Sequence, residues 1–198
     1  DCGADAALLV TPYYNKASQT GLIKHYEYIA DRVELPMILY NVPSRTGVSF
    51  TAETYAVLAK NPKINGVKEA SGNFSLLAHA RALCGDDFYI WSGNDDQVVP
   101  MMALGAKGVI SVACNIVPEI MVRMSHLCLE NNIEAASRLQ IEYMDLIDAL
   151  FIEVNPIPIK HAMNLLGMEA GSLRLPLCDI APANGEKLRA SMQRMGLL

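Results

Sequence analysis

The sequence predicts an α/β fold. Short apolar runs alternate with segments of helical period. Each strand–helix pair takes roughly 25–30 residues, as βαβ repeats do. The alternation stops at Pro118, beyond which only helices are expected.

Residues 6–10 form the first apolar strand, closed by Thr11-Pro12, and a loop over 13–17 follows. Ser18 or Thr20 opens a helix to about Val33, with Leu22, Ile23, Tyr26, Ile29 and Ala30 on one face. Residues 36–41 are the second strand, and residues 42–47 its loop. Thr51 caps the next helix, with Glu53 in its first turn. The third strand begins at Ile64 and carries Lys68 at its end. Asn73 or Ser75 starts its helix, which Gly85 stops. The fourth strand spans 88–93, with a helix over about 95–104, and the fifth spans 108–112. Helices are expected over about 118–131, 133–153, 157–166 and 184–195.

Five strands with alternating helices suit a doubly wound sheet or a barrel. No Gly-x-Gly-x-x-Gly or Walker loop is present, which speaks against a dinucleotide or nucleotide fold. A complete (β/α)8 TIM barrel takes about 250 residues. The expectation is therefore its last five strand–helix units over residues 1–117, with about three units absent. The remaining barrel helix and a C-terminal helical domain would occupy residues 118–198.

Composition narrows the function. The 198 residues are 52% hydrophobic and 19% charged, which is globular. A net charge of -5 without a basic cluster argues against nucleic acid, and no apolar run is long enough for a membrane span. The first residues are not a signal peptide. Five widely spaced cysteines (Cys2, Cys84, Cys114, Cys128, Cys178) suggest reduced thiols and a cytoplasmic protein. The four histidines sit at unrelated spacings, so no metal site is expected.

The chemistry gathers at strand ends. Tyr14, Tyr40, Arg45, Lys68, Ser71, Gly93 and Asp95 all lie at or just after the C-terminal end of a strand. In a barrel those ends converge on the face that carries the active site. A strand-end lysine taken alone snorkels to water. Partly desolvated, its amine has a lowered pKa and can attack a carbonyl. Tyr40 can fill the barrel mouth or shuttle protons beside that amine. Arg45 is a surface charge or a bidentate carboxylate holder. Tyr13-Tyr14 suits a subunit contact. Glu69 points to the opposite side of the strand from Lys68 and is not its base.

Three stretches resemble the class I pyruvate aldolase family that contains dihydrodipicolinate synthase and N-acetylneuraminate lyase. They are Leu8-Leu9-Val10-Thr11-Pro12-Tyr13-Tyr14-Asn15-Lys16, Ile38-Leu39-Tyr40-Asn41-Val42-Pro43-Ser44-Arg45-Thr46-Gly47 and Gly66-Val67-Lys68-Glu69-Ala70-Ser71. Ser92-Gly93-Asn94-Asp95, residues 108–112 and Asn155-Pro156-Ile157-Pro158-Ile159-Lys160 fit the same family, so the likeness runs the length of the chain.

That resemblance implies a (β/α)8 barrel with a helical domain, usually a homotetramer, and no cofactor. It implies a Schiff base between Lys68 and pyruvate, with Tyr40 as proton relay and Tyr14 serving a neighbouring subunit's site. Arg45 would bind the carboxylate of the incoming aldehyde, while Gly93 and Ile110 would offer backbone contacts. Arg45 favours the branch that condenses pyruvate with aspartate semialdehyde to 4-hydroxy-tetrahydrodipicolinate, in lysine and diaminopimelate biosynthesis. The chain departs from the family at Asn94, where aspartate is common, and at Ala17, where proline is. It also lacks the units that carry a Thr-Thr motif and most of a lysine feedback site, of which the Tyr13 position remains. Two other expectations stand: another pyruvate-dependent aldolase, such as a sialic-acid or keto-sugar-acid lyase, and a fragment without catalytic activity.

Overall fold

The computed structural model describes residues 3–198, so Cys2 lies outside the described residues. The other four cysteines are free thiols. The chain divides into two compact units, Asp1–Ile110 and Ser111–Leu198.

In the first unit β1 (Ala7–Val10), β2 (Met37–Asn41), β3 (Ile64–Glu69) and β4 (Tyr89–Ser92) form one parallel sheet in the order β1-β2-β3-β4. Sequential order without a switch point is barrel topology. A doubly wound sheet would reverse direction partway along its edge. The intervening helices are α1 (Gln19–Ala30), the short α2 (Pro43–Thr46), α3 (Ala52–Leu58), α4 (Phe74–Cys84) and α5 (Val98–Ala103).

Two expectations need correction. The fifth strand shrinks to one bridge, Val109 with Ser92, because the backbone is already helical at Val112 and enters a 3-10 turn at Ala113–Asn115. The helix expected over 95–104 starts as a 3-10 turn, Asp95–Gln97, before α5.

The caps follow the side chains. Ser18, Thr51 and Asn73 each accept a hydrogen bond from a first-turn backbone N–H of α1, α3 and α4. Pro43 at the first position of α2 has its φ preset for a helix, so residues expected as loop close into a helical turn ended by Gly47 at φ 70.

Strand residues split between two faces. Met37, Leu39, Ile64, Val67 and Ile90 are buried, and each side chain of that size contributes roughly 1.5–3 kcal/mol. Leu8, Val10 and Tyr89, on the other face, are 41–46% exposed. Tyr26, Phe50, Tyr55 and Phe88 form an aromatic row with centroid spacings of 5.6, 4.8 and 5.9 Å.

The second unit is helical: α6 (Pro118–Leu129), α7 (Ile133–Leu150), α8 (Ile157–Leu165) and α9 (Pro182–Arg194). Met124, Leu146, Leu150, Leu188 and Met192 are buried. Asp145 accepts hydrogen bonds from Ser191 and Arg194, tying α7 to α9. Glu153 holds the start of α9 through the Ala181 N–H and the Asn184 amide.

Candidate active site

The site begins with a register. Tyr40 pairs with Lys68 and Asn41 with Glu69, at the C-terminal ends of β2 and β3. Neighbours along a strand face opposite sides. Tyr40 and Lys68 therefore share the open face, and Asn41 and Glu69 share the helix-covered one.

A bulge sets that parity. Met37 pairs with Ile64, yet Ile38 pairs with Gly66, so Asn65 is an extra residue in β3. An inserted residue re-aims every side chain beyond it. Without it Lys68 would point into the helix-packed core. Gly66 is required beside the bulge, since a Cβ there would meet the Tyr89 carbonyl oxygen at 2.0 Å.

The half-buried Lys68 places its Nζ 4.5 Å from the centroid of the Tyr40 ring. On its other side the register partner is Trp91. Burial raises the Tyr40 phenol above its ordinary pKa, and the Arg45 guanidinium opposes the rise. The phenol is thus protonated at neutral pH and can give a proton. Arg45, exposed on α2, is close enough to act on that phenol.

Gly93 is defined by lack of space. A Cβ would sit 2.6 Å from the Ala70 Cβ and 3.2 Å from the Lys68 Cε, so the lysine extends where a larger residue would stand. The Gly93 N–H donates to the Glu69 carbonyl at 2.8 Å, and the Ile110 N–H to the Ser92 carbonyl at 2.9 Å. Both amides are thus engaged in holding the sheet.

Tyr14 stands apart. It is 88% exposed with φ 66, at the apex of a three-residue turn in which the Asn15 N–H donates to the Tyr13 carbonyl at 2.8 Å. Positive φ at a non-glycine residue is strained, and such turns are rare. Lys16, also at positive φ, lays its side chain over Gly47 and packs this loop against the Arg45 turn. Asn94 donates to the Gln97 side chain at 3.2 Å.

The sequence reasoning missed a buried carboxylate cluster behind the lysine. Glu69, 3% exposed, accepts from Asn41 Nδ2 at both oxygens (3.1 and 3.0 Å), from the Tyr55 hydroxyl (2.7 Å) and from the Ser71 N–H (2.8 Å). The available signal was two polar residues, Asn41 and Glu69, at helix-facing positions of otherwise apolar strands.

Comparisons with known proteins show which family the chain falls in. The dihydrodipicolinate synthetase family matches residues 1–195. The 4-hydroxy-tetrahydrodipicolinate synthase of Clostridium novyi (strain NT) is 49% identical over 191 residues, covering 96% of this chain and 64% of that protein. The lysine-bound dihydrodipicolinate synthase structure from Cyanidioschyzon merolae superposes with a TM-score of 0.96 at 44% identity, covering 99% of this chain and 67% of that one. The Acinetobacter baumannii synthase complexed with pyruvate gives 0.95 at 41%, covering 99% and 67%. The chain thus spans about two thirds of the length of the relatives it matches. With the ordered parallel strands, the chain belongs to the dihydrodipicolinate synthetase family.

Proposed function

We propose that this chain carries the Schiff-base centre of an enzyme that condenses pyruvate with L-aspartate 4-semialdehyde to 4-hydroxy-tetrahydrodipicolinate. The observation that carries this reading is the Lys68 amine 4.5 Å over the ring of Tyr40, at paired strand ends. The names of the relatives support it.

The chemistry runs from that pair. The neutral Lys68 amine attacks the ketone carbon of pyruvate, giving a carbinolamine. Tyr40, kept protonated by burial, gives a proton to the departing hydroxyl, and water leaves. The resulting iminium withdraws electrons, so a methyl proton passes back to the Tyr40 phenolate and an enamine forms. The enamine carbon bonds to the aldehyde carbon of the semialdehyde, whose carboxylate Arg45 holds. The amine of the semialdehyde then adds to the imine carbon, expels the Lys68 amine and closes the ring. Gly93 and Ile110 line the pyruvate side. Tyr14 reaches the site of a neighbouring copy in an oligomer, a dimer or tetramer, in the cytoplasm. Its exposure and strained turn suit that task. Among the described residues no helix is long and apolar enough to cross a membrane.

A substrate panel tests this. Pyruvate with aspartate semialdehyde should turn over, and pyruvate with N-acetylmannosamine should not. Arg45→Ala should still bind pyruvate on Lys68 but lose turnover with the semialdehyde by about 100-fold, the loss of a bidentate charged contact of roughly 1.5–3 kcal/mol. Equal turnover of sugar and semialdehyde, or an unchanged Arg45→Ala, would refute the assignment.

A further inference from the structure

Glu69 sits back to back with the reacting pair. It follows Lys68 in β3 as Asn41 follows Tyr40 in β2, and the two polar residues are register partners on the buried face. Its side chain joins three other points of the chain. Asn41 bridges both carboxylate oxygens, the Tyr55 hydroxyl comes from α3, and the Ser71 N–H comes from the turn after β3. Its backbone carbonyl receives the Gly93 N–H from beyond β4, and the Asn41 carbonyl receives the Ala70 N–H. Asn41 is held in turn, its Nδ2 on Ser49 at 3.1 Å and its Oδ1 on the Phe50 N–H at 3.4 Å.

Stability does not account for such a cluster. Replacing a buried charged network by well-packed apolar residues is commonly neutral or stabilising, and a half-satisfied one is costly. What the cluster does provide is a fixed geometry. Each donor pins a different segment: Asn41 adjoins Tyr40 in β2, Ser71 follows the end of β3 that carries Lys68, and Tyr55 ties both to α3.

We propose that Glu69 is a positioning residue: its carboxylate, held by Asn41, Tyr55 and Ser71, locks the ends of β2 and β3 so that Tyr40 and Lys68 face each other on the opposite side. This rests on the Schiff-base role proposed for Lys68. Glu69 touches no substrate. It acts through the backbone it shares with the lysine.

The test is the rate at which borohydride captures pyruvate on Lys68 of the full chain, followed by mass spectrometry against pyruvate concentration. Glu69→Gln keeps the shape but turns an amide NH2 toward the Asn41 NH2 and toward either the Ser71 N–H, which only donates, or the Tyr55 hydroxyl, which must turn round to accept. Its maximal capture rate should fall about 10–100-fold, the effect of misplacing a reacting group by up to about an ångström. Half-saturating pyruvate should stay within about threefold, since the groups that bind it are untouched. A folded Glu69→Gln with a maximal rate within about twofold of wild type would overturn the proposal.

Should Glu69→Gln fail to fold, Tyr55→Phe removes only the 2.7 Å donor and keeps the ring between Phe50 and Phe88. It should slow capture about 3–10-fold, a part of the worth of one hydrogen bond to a charged group, because Asn41 and Ser71 still hold the carboxylate. Tyr26→Phe loses a comparable buried hydroxyl, bonded to the Leu9 carbonyl, and should leave capture unchanged. Equal losses in both variants would reduce the cluster to general stability and overturn the proposal. No adduct on the wild-type chain would refute the Schiff-base reading itself. That outcome differs from an unaffected variant.

Discussion

Gly93→Ala probes the space into which Lys68 extends. The added Cβ would stand 2.6 Å from the Ala70 Cβ, 3.3 Å from the Ala70 Cα and 3.2 Å from the Lys68 Cε. The lysine methylene can swing by a few tenths of an ångström. The Ala70 contact cannot relax that way, because its Cβ is fixed to the backbone. Ordinary contact needs roughly 3.5–4.0 Å, so the ends of β3 and β4 must part by about an ångström. Overpacking of this kind costs about 1–3 kcal/mol. For a chain of this size that lowers the melting temperature by about 2–12 °C. The same displacement moves Lys68 relative to Tyr40, and misplacement by about an ångström costs about 100-fold in rate. The assays are a thermal melt and the capture rate with pyruvate and borohydride. Gly85→Ala is the control: at φ 75 it strains the backbone, yet its Cβ would meet nothing within 4 Å and it is remote from the lysine. A Gly93→Ala protein with wild-type capture would refute the reasoning, whatever its melting temperature.

Other outcomes follow from the same geometry. Tyr40→Phe keeps the ring beneath the amine but removes the acid, so imine formation should slow by about 10²–10⁴. An unaltered rate would place the proton donor elsewhere. Tyr26 and Tyr55 have phenols raised above the usual range, chiefly by burial, with the Glu69 carboxylate adding to the effect on Tyr55. Below the unfolded pKa of about 10 both states keep the proton and this stabilisation is fully present. Above it the unfolded chain releases protons first, so stability falls by up to about 1.4 kcal/mol per pH unit and tyrosine until the folded pKa is passed. Urea melts at increasing alkaline pH should show that slope, and Tyr26→Phe should reduce it. A slope unchanged by the substitution would contradict the buried-phenol account. Cys84, half-buried with its thiol pushed up to about 11 by burial, should alkylate well after the exposed Cys178 in timed mass spectrometry. The reverse order would contradict its burial.

Much of the site was legible because its residues sit in local patterns. Apolar runs ended by Tyr40 and Lys68 gave strands, and the structure pairs those two residues at the strand ends. Thr51 was marked as a cap by its short polar side chain before an apolar helix, while Ser18 and Asn73 were each one of two candidates, beside Thr20 and Ser75, between which the structure chooses. What stayed hidden depends on pairing between distant segments. The Asn65 bulge appears only when β2 and β3 are laid side by side, yet it decides which face Lys68 takes. The Glu69 cluster joins residues 14 and 28 apart in sequence, which no periodicity reports. Gly93 was expected to offer backbone contacts, and its lack of a Cβ beside Ala70 and Lys68 required coordinates. The short α2 carries too few residues for a helical period, although Pro43 is a sound first helical position.

The central claim is that Lys68 forms the imine. Incubating the chain with pyruvate and borohydride, then mapping peptides by mass spectrometry, tests it most directly. The account predicts one pyruvate-derived adduct, on Lys68, absent without pyruvate and absent from Lys68→Ala. A folded chain with no adduct, or the same adduct retained in Lys68→Ala, would contradict it.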